Sequence, residues 1–266
     1  MRPFLLAFAL LFAASAAAPA PAADAGLSAD ALARAASALA EKAQTLPSAV
    51  GEAVSGGNLP LLFALLAVVP ALLIATTCYV RVITVLSLLR QAVGLAQIPS
   101  AQILAILSFF LTLLVMTPTW TRVYREAWVP YAQEEIDLQE AVRRGEAPVR
   151  TFLWKQIERS RNTGQIALFL RSIPDAEMPE YYEDIPWRVL LPAFILSELK
   201  TAFFIGLQLF LPFLIIDLVV SGVMVSMGMM MLPPTVVSLP FKLMLFVLLD
   251  AWDPVVQMLI DSFTFA

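Results

Sequence analysis

The sequence predicts an all-α membrane protein built of helical hairpins with bent or broken helices, plus a small helical extramembrane subdomain. Three observations predict it. Of the 266 residues, 60% are hydrophobic and only 14% charged, with a mean hydropathy of +0.81, whereas a water-soluble domain carries roughly a quarter charged residues to hydrate its surface. The run from Leu59 to Val80 holds no charge and, at about 1.5 Å per residue, is long enough to cross about 30 Å of hydrocarbon. Charge is segregated as well: most of the Arg residues and more than half of the acids lie between Pro118 and Trp187.

The same composition excludes much chemistry. No His is present, which removes a Ser/His/Asp triad, a Cys/His dyad and a His-ligated metal. A single Cys78 permits neither an intrachain disulfide nor a thiolate cluster, and in apolar surroundings it reads as a small core side chain. A net charge of −4 with a pI near 4.9 argues against a nucleic-acid partner, which needs a basic face. Walker A, GxGxxG and GxSxG motifs are absent from the sequence, so the reading is a non-enzymatic protein without cofactor or metal.

Taken in chain order, residues 1–23 read as a secretory signal peptide: Arg2 is a minimal positive start, Phe4 to Ala14 are apolar but too short to span, and small residues before Asp24 offer a cleavage site. Residues 24–57 form an Ala/Ser/Gly-rich periplasmic leader with no assigned chemistry. A first helical hairpin, 58–117, holds the Leu59 to Val80 run, a turn around Gly94 to Pro99 and a second apolar stretch centred on Ile98 to Val115. Arg81 and Arg90 are read as loop charges that place this connection in the cytoplasm. The subdomain, 118–187, is expected on the periplasmic side. It opens a helix at Asp137-Leu138-Gln139-Glu140 with capping-box spacing, stops it at Gly145, and continues as two short amphipathic helices, Thr151 to Arg159 and Gly164 to Arg171. Trp120, Tyr124, Trp128, Tyr131 and Trp187 fit an interfacial belt or the subdomain core.

The second hairpin, 188–266, is apolar but interrupted by Pro192, Pro212, the ionisable Glu198, Lys200, Asp217 and Lys242, and a run from Met227 through Gly228, Met229, Met230 and Met231 to Pro233-Pro234. A charge at mid-bilayer costs at least about 2.5 kcal/mol, so such groups pair, face a bundle interior or line water. Two acids balance two bases here; structural pairing is favoured over a proton or ion relay. A helix cannot continue through the two prolines, so the chain must turn in the Met run. Irregular backbone at membrane depth is tolerated only inside protein or along a cavity, and Met re-packs readily around different neighbours. Core filler and a deformable apolar seal both remain open on this evidence.

These strings resemble a known family. Arg81-Val82-Ile83-Thr84-Val85-Leu86-Ser87-Leu88-Leu89-Arg90-Gln91-Ala92, Ser197-Glu198-Leu199-Lys200-Thr201-Ala202-Phe203, Pro212-Phe213-Leu214-Ile215-Ile216-Asp217-Leu218-Val219, the Met run, and Ser238-Leu239-Pro240-Phe241-Lys242 are similar to the FliP/SctR family of type III export-gate proteins over about 59–266. The resemblance implies a pentamer that joins FliQ and FliR, together with FlhB and FlhA, in the bacterial inner membrane at the flagellar basal body. It implies a central channel for unfolded flagellar export substrates, sealed by a Met gasket that maps onto Met229, Met230 and Met231, with Met227 beside them. It further implies intersubunit pairing of Glu198 and Lys242. Phe204 stands where many members carry Gln, and Pro99-Ser100 replaces a common Pro-Pro. The signal peptide favours the flagellar branch over the virulence injectisome. An ion-coupled transporter is the alternative from another class; it expects an internal repeat, and the sequence has none.

Overall fold

The computed structural model describes residues 72–94, 98–173, 181–229 and 233–263. The signal peptide, the leader, most of the first uncharged run, and Met230 and Met231 lie outside the described residues. The chain divides into a unit ending at Leu73 and a second beginning at Ile74, and the architecture below is that of the second. All of its described regular elements are helical.

Helix α1 (Tyr79–Val93) buries Arg81, Val82, Val85, Leu86, Leu89, Ala92 and Val93, a stripe at the three-to-four-residue spacing of one helical face. It ends at Gly94, whose φ of +86° places it in the left-handed region, where a Cβ is strained. Arg90 Nη1 reaches forward to the Pro99 carbonyl at 3.3 Å, and Ser100 caps the next helix by accepting from the Ile103 N–H. Arg81 and Arg90 thus lie within a helix, and Arg81 is fully buried; neither is the loop charge that the sequence suggests. Arg81 is tolerated there because an acid from a distant helix faces it.

Helix α2 (Ala101–Val123) carries Ser108, Thr112, Thr117 and Thr121, each hydroxyl donating to the carbonyl four residues earlier, so these polar groups are satisfied without leaving an apolar helix. It passes through Pro118 into a π-turn (Tyr124–Trp128) and a last short helix, α3 (Val129–Ala132). Together they form an apolar segment from Ala101 to Ala132, long enough to cross a membrane.

Helix α4 (Leu138–Arg159) starts where the capping spacing places it, with the Asp137 carboxylate accepting from the Glu140 N–H at 2.9 Å. It does not stop at Gly145. Gly145 sits against Ala127 and Val123, where a Cβ would stand at ordinary contact distances of 3.4 and 3.7 Å, and a glycine inside a helix costs only about 1 kcal/mol, which packing and ion pairs offset. Arg143 and Arg144 on Glu140, and Arg150 on Glu146, bridge the turns on either side. Two predicted helices therefore merge into one, and Phe152, Leu153, Gln156 and Ile157 form its buried face. A short helix, α5 (Gly164–Leu170), inserts Ile166 and Leu170 into the same core.

The dominant element is α6 (Trp187–Ser226), 40 residues and so about 60 Å long, roughly twice the hydrocarbon thickness. Pro192 and Pro212 lie inside it, each removing one backbone bond without ending the helix. Its first half buries Val189, Leu190, Ala193, Phe194, Ser197, Glu198, Ala202, Ile205 and Gly206; beyond Gly206 only Phe213 and Met224 are buried. After the Met run, α7 (Pro234–Leu248) returns alongside, burying only Ser238 and Lys242. A 66° bend leads into α8 (Trp252–Asp261), which packs Val255, Leu259 and the following Phe263 into the core.

Candidate functional site

The hairpin of α6 and α7 carries most of the residues singled out in the sequence. At its tip α6 ends on Met227, and Gly228 turns left-handed at φ +74°. Its N–H donates to the Val225 carbonyl and that of Met229 to the Met224 carbonyl, both at 3.0 Å. This pair of bonds satisfies the last carbonyls of the helix and reverses the chain. Glycine is favoured at this φ, because an L side chain in the left-handed region costs roughly 1–2 kcal/mol. Met227 is 68% exposed and Met229 40%. Pro234 then opens α7 at its first position, where a missing N–H costs nothing.

Asp217 and Lys242 face each other across this hairpin. Lys242 Nζ donates to Asp217 Oδ2 and Ser238 Oγ to Asp217 Oδ1, each at 2.6 Å. Ser238 and Lys242 are four residues apart, hence on one face of α7, and together they occupy both carboxylate oxygens. The pair is incompletely covered, with the Asp217 side chain 28% exposed and that of Lys242 7%. Ten residues of helix, about 15 Å, separate Asp217 from Met227. Around this clasp the surface is apolar: Leu211, Ile215, Leu218, Phe241, Met244 and Val247 are all exposed. Exposed apolar area on this scale marks a surface that meets lipid or protein.

Glu198 lies elsewhere, in the core, and its partner is Arg81. The guanidinium donates through Nε to Glu198 Oε2 at 2.9 Å and through Nη2 to Glu198 Oε1, a two-pronged pair with both side chains fully buried. Within this single chain the four ionisable residues thus divide: Glu198 meets Arg81, Asp217 meets Lys242, and Lys200 is exposed with no ion pair among the described residues. Arg81 escapes the sequence reading because it is taken there as a topological marker. Its position on the stripe that holds Val82, Val85 and Leu89 is the signal that a basic side chain points inward.

The charged subdomain surface behaves differently. Hydrogen bonds from Arg143 and Arg144 pull the Glu140 carboxyl down to about 2. Hydrogen bonding from Arg150, and after it the Trp187 indole at 2.5 Å, lowers Glu146. These pairs tie α4 to itself and to the start of α6. No cluster of metal-ligating side chains occurs among the described residues. What the hairpin offers is an exposed apolar end on a polar-clasped stem.

Comparison with known proteins gives the family of the chain. The model of the FliP family matches residues 62–259. The flagellar biosynthetic protein FliP of Pectobacterium carotovorum is 51% identical over 196 residues, 73% of each chain. That of Bacillus subtilis is 43% identical over 206 residues, 77% of this chain and 91% of the relative. That of Aquifex aeolicus is 44% identical over 213 residues, 80% and 88% respectively. The match takes in the Arg81–Glu198 core, the clasped hairpin and its Met turn, and the chain belongs to the FliP family.

Proposed function

We propose that this chain is a pore-forming subunit of the flagellar type III protein-export gate, in which copies of the Met turn meet as an apolar seal through which unfolded flagellar subunits pass. One observation carries the reading. The Gly228 turn presents Met227 and Met229 at the tip of a hairpin on which, past Gly206, Phe213, Met224, Ser238 and Lys242 alone are buried among the described residues. A surface this apolar has to be covered, and copies of itself arranged around an axis would cover the stems while bringing the tips together. Met suits a seal that must yield and close again, since its unbranched thioether chain re-packs at little cost.

The assembly proposed is a homopentamer with FliQ and FliR, adjoining FlhB and FlhA in the bacterial inner membrane. The subdomain, 118–187, would pack against neighbouring copies. In this assembly Met227, Met229, Met230 and Met231 form the gasket, while Lys200, Asp217 and Lys242 support assembly and Glu198, paired with Arg81 inside the chain, holds the base of the hairpin instead of an intersubunit contact. The length of α6, about twice the hydrocarbon thickness, fits a gate whose subunits extend beyond the bilayer.

Replacing Met229, Met230 and Met231 together with Ala is expected to leave the complex assembled and to make membranes leaky to small ions. An unchanged conductance in the assembled variant would remove the seal from the reading. Native mass spectrometry of the extracted chain, alone and with its co-expressed neighbours, tests the assembly: a monomer in both preparations would overturn it.

A further inference from the structure

One guanidinium holds both roots of the Met hairpin. Arg81 grips Glu198 on α6 through Nε and Nη2, and with Nη1 it donates to the Ser262 carbonyl at 3.2 Å and to the Ser262 hydroxyl at 3.1 Å. The ring of Phe263 lies under the same group, 4.1 Å from Cζ to its centroid. Between Glu198 and Ser262 runs the whole excursion: the outer half of α6, the Met turn, α7 and α8. The remaining contact of the guanidinium is Gln156 Oε1 on α4 at 3.3 Å. Gln156 Nε2 is buried with no hydrogen-bond partner among the described residues, so its amide is oriented by Arg81 at the expense of its own donor.

The grip on α8 has a physical logic. The last carbonyls of a helix have no internal partners and carry partial negative charge, which a cation satisfies. Arg159 on α4 adds a second cation there, donating to the Asp261 carbonyl at 3.2 Å. The 66° bend between α7 and α8 makes α8 a foot, planted in the core by Val255, Leu259 and Phe263, while α7 rises from it toward the turn.

We propose that Arg81 is a positioning residue for the Met turn: by joining Glu198 to the end of α8 at one point, it fixes where the hairpin starts and returns, and so the height at which its tip is presented. This deepens the seal reading and rests on it. The test is hydrogen exchange on the full chain in detergent, paired with ion conductance of membranes carrying the co-expressed assembly.

Arg81→Met combined with Glu198→Gln removes the buried charges on both sides, which keeps the core foldable. In that variant, exchange across Trp252–Asp261 is expected to accelerate at least about tenfold while α1 and the first half of α6 stay protected, and conductance is expected to rise. Phe263→Leu, which keeps apolar volume but removes the ring from beneath the cation, is expected to give a smaller acceleration confined to the same helix. Unchanged protection of α8 in both variants would overturn the proposal, as would equal loss of protection throughout the core. Conductance separates the two ideas. If the Met-to-Ala variant leaks and the Arg81/Glu198 variant does not, the positioning role fails; if α8 is released but the Met-to-Ala variant does not leak, the seal reading fails and the anchor stands.

Discussion

Helix α6 carries two acids, each held by a cation from another helix, and their surroundings differ. Glu198 lies in the first half, enclosed by α1, α4 and the end of α8, with no exposed area on either partner. Asp217 lies in the outer half, held by Ser238 and Lys242 of α7 alone and still 28% exposed. The first pair belongs to a core that one chain completes. The second is the polar clasp of a hairpin whose apolar flanks are exposed among the described residues, the kind of surface that meets lipid or protein. One helix is thus a core element at its base and an exposed apolar arm at its tip.

Removing Glu198 should have the largest effect. Glu198→Ala strands Arg81 as a buried unpaired charge, a change that costs about 3–5 kcal/mol. The extracted variant should either fail to accumulate or melt far below the parent, by roughly 2–4 °C per kcal/mol for a domain of this size. A melting point within error of the parent would mean that water reaches this pair, and the distinction between the two halves of α6 would collapse.

The two glycines of α6 probe the same contrast without touching charge. A Cβ on Gly206 would fall 2.3 Å from Leu88 Cδ1, whereas one on Gly222 meets nothing within 4 Å. Gly206→Ala should therefore force α1 and α6 apart, at about 1–3 kcal/mol for overpacking. Gly222→Ala should stabilise the lone chain by roughly 0.5–1 kcal/mol through helix preference alone. The comparison sharpens if Gly222→Ala raises the melting point of the isolated chain yet lowers the yield of assembled complex, because the open space beside Gly222 would then be filled by a neighbour.

How much of this was legible in the sequence follows from the kind of signal each feature leaves. The helical membrane class, the turn near Gly94, the cap at Asp137 and the reversal at Gly228 rest on local chemistry: an uncharged run, a short polar side chain before a helix, a glycine before two prolines. Each of these acts within a few residues. The continuity of α4 through Gly145 was not legible, because a glycine marks a possible stop locally while the helix that runs through it is packed against Val123 and Ala127 of a preceding segment. The same holds for Arg81. Its charge looks like a loop marker until Glu198, 117 positions away, is brought against it. For the Met turn the sequence supplied the site, and the structure added the left-handed Gly228 and the exposure of Met227 and Met229.

Asp217→Asn should have a smaller effect on the isolated chain than Glu198→Ala. It leaves the largely buried Lys242 with a neutral oxygen in place of a carboxylate, but that oxygen still accepts and the Asp217 side is partly open to solvent, so a loss of about 1–3 kcal/mol is expected. Assembly is the more sensitive readout. If Asp217→Asn melts normally but yields little complex, the clasp serves the hairpin's fit against its neighbours. If instead assembly is normal and export stops, the charge acts in a relay, and the pairing role is the part that fails.

The surface pairs of α4 set the lower end of this scale. Glu140 is held at about 2 by hydrogen bonds from Arg143 and Arg144; its side chain is as exposed as that of Asp217, but its two cations lie in water where Lys242 is buried, so their geometry costs side-chain entropy and salt screens the attraction. A carboxyl whose folded pKa is depressed lends its stabilisation above the ordinary value, and loses it as pH falls from about 4.5 toward about 2. Glu140→Gln is therefore expected to leave the melting point unchanged within error between pH 5 and pH 7. Any difference from the parent should appear at low salt and narrow as pH falls below about 4.5. If Glu140→Gln instead matched Asp217→Asn in its effect, burial of the cation would not be what separates the pairs, since the two acids are equally exposed and only Lys242 is covered.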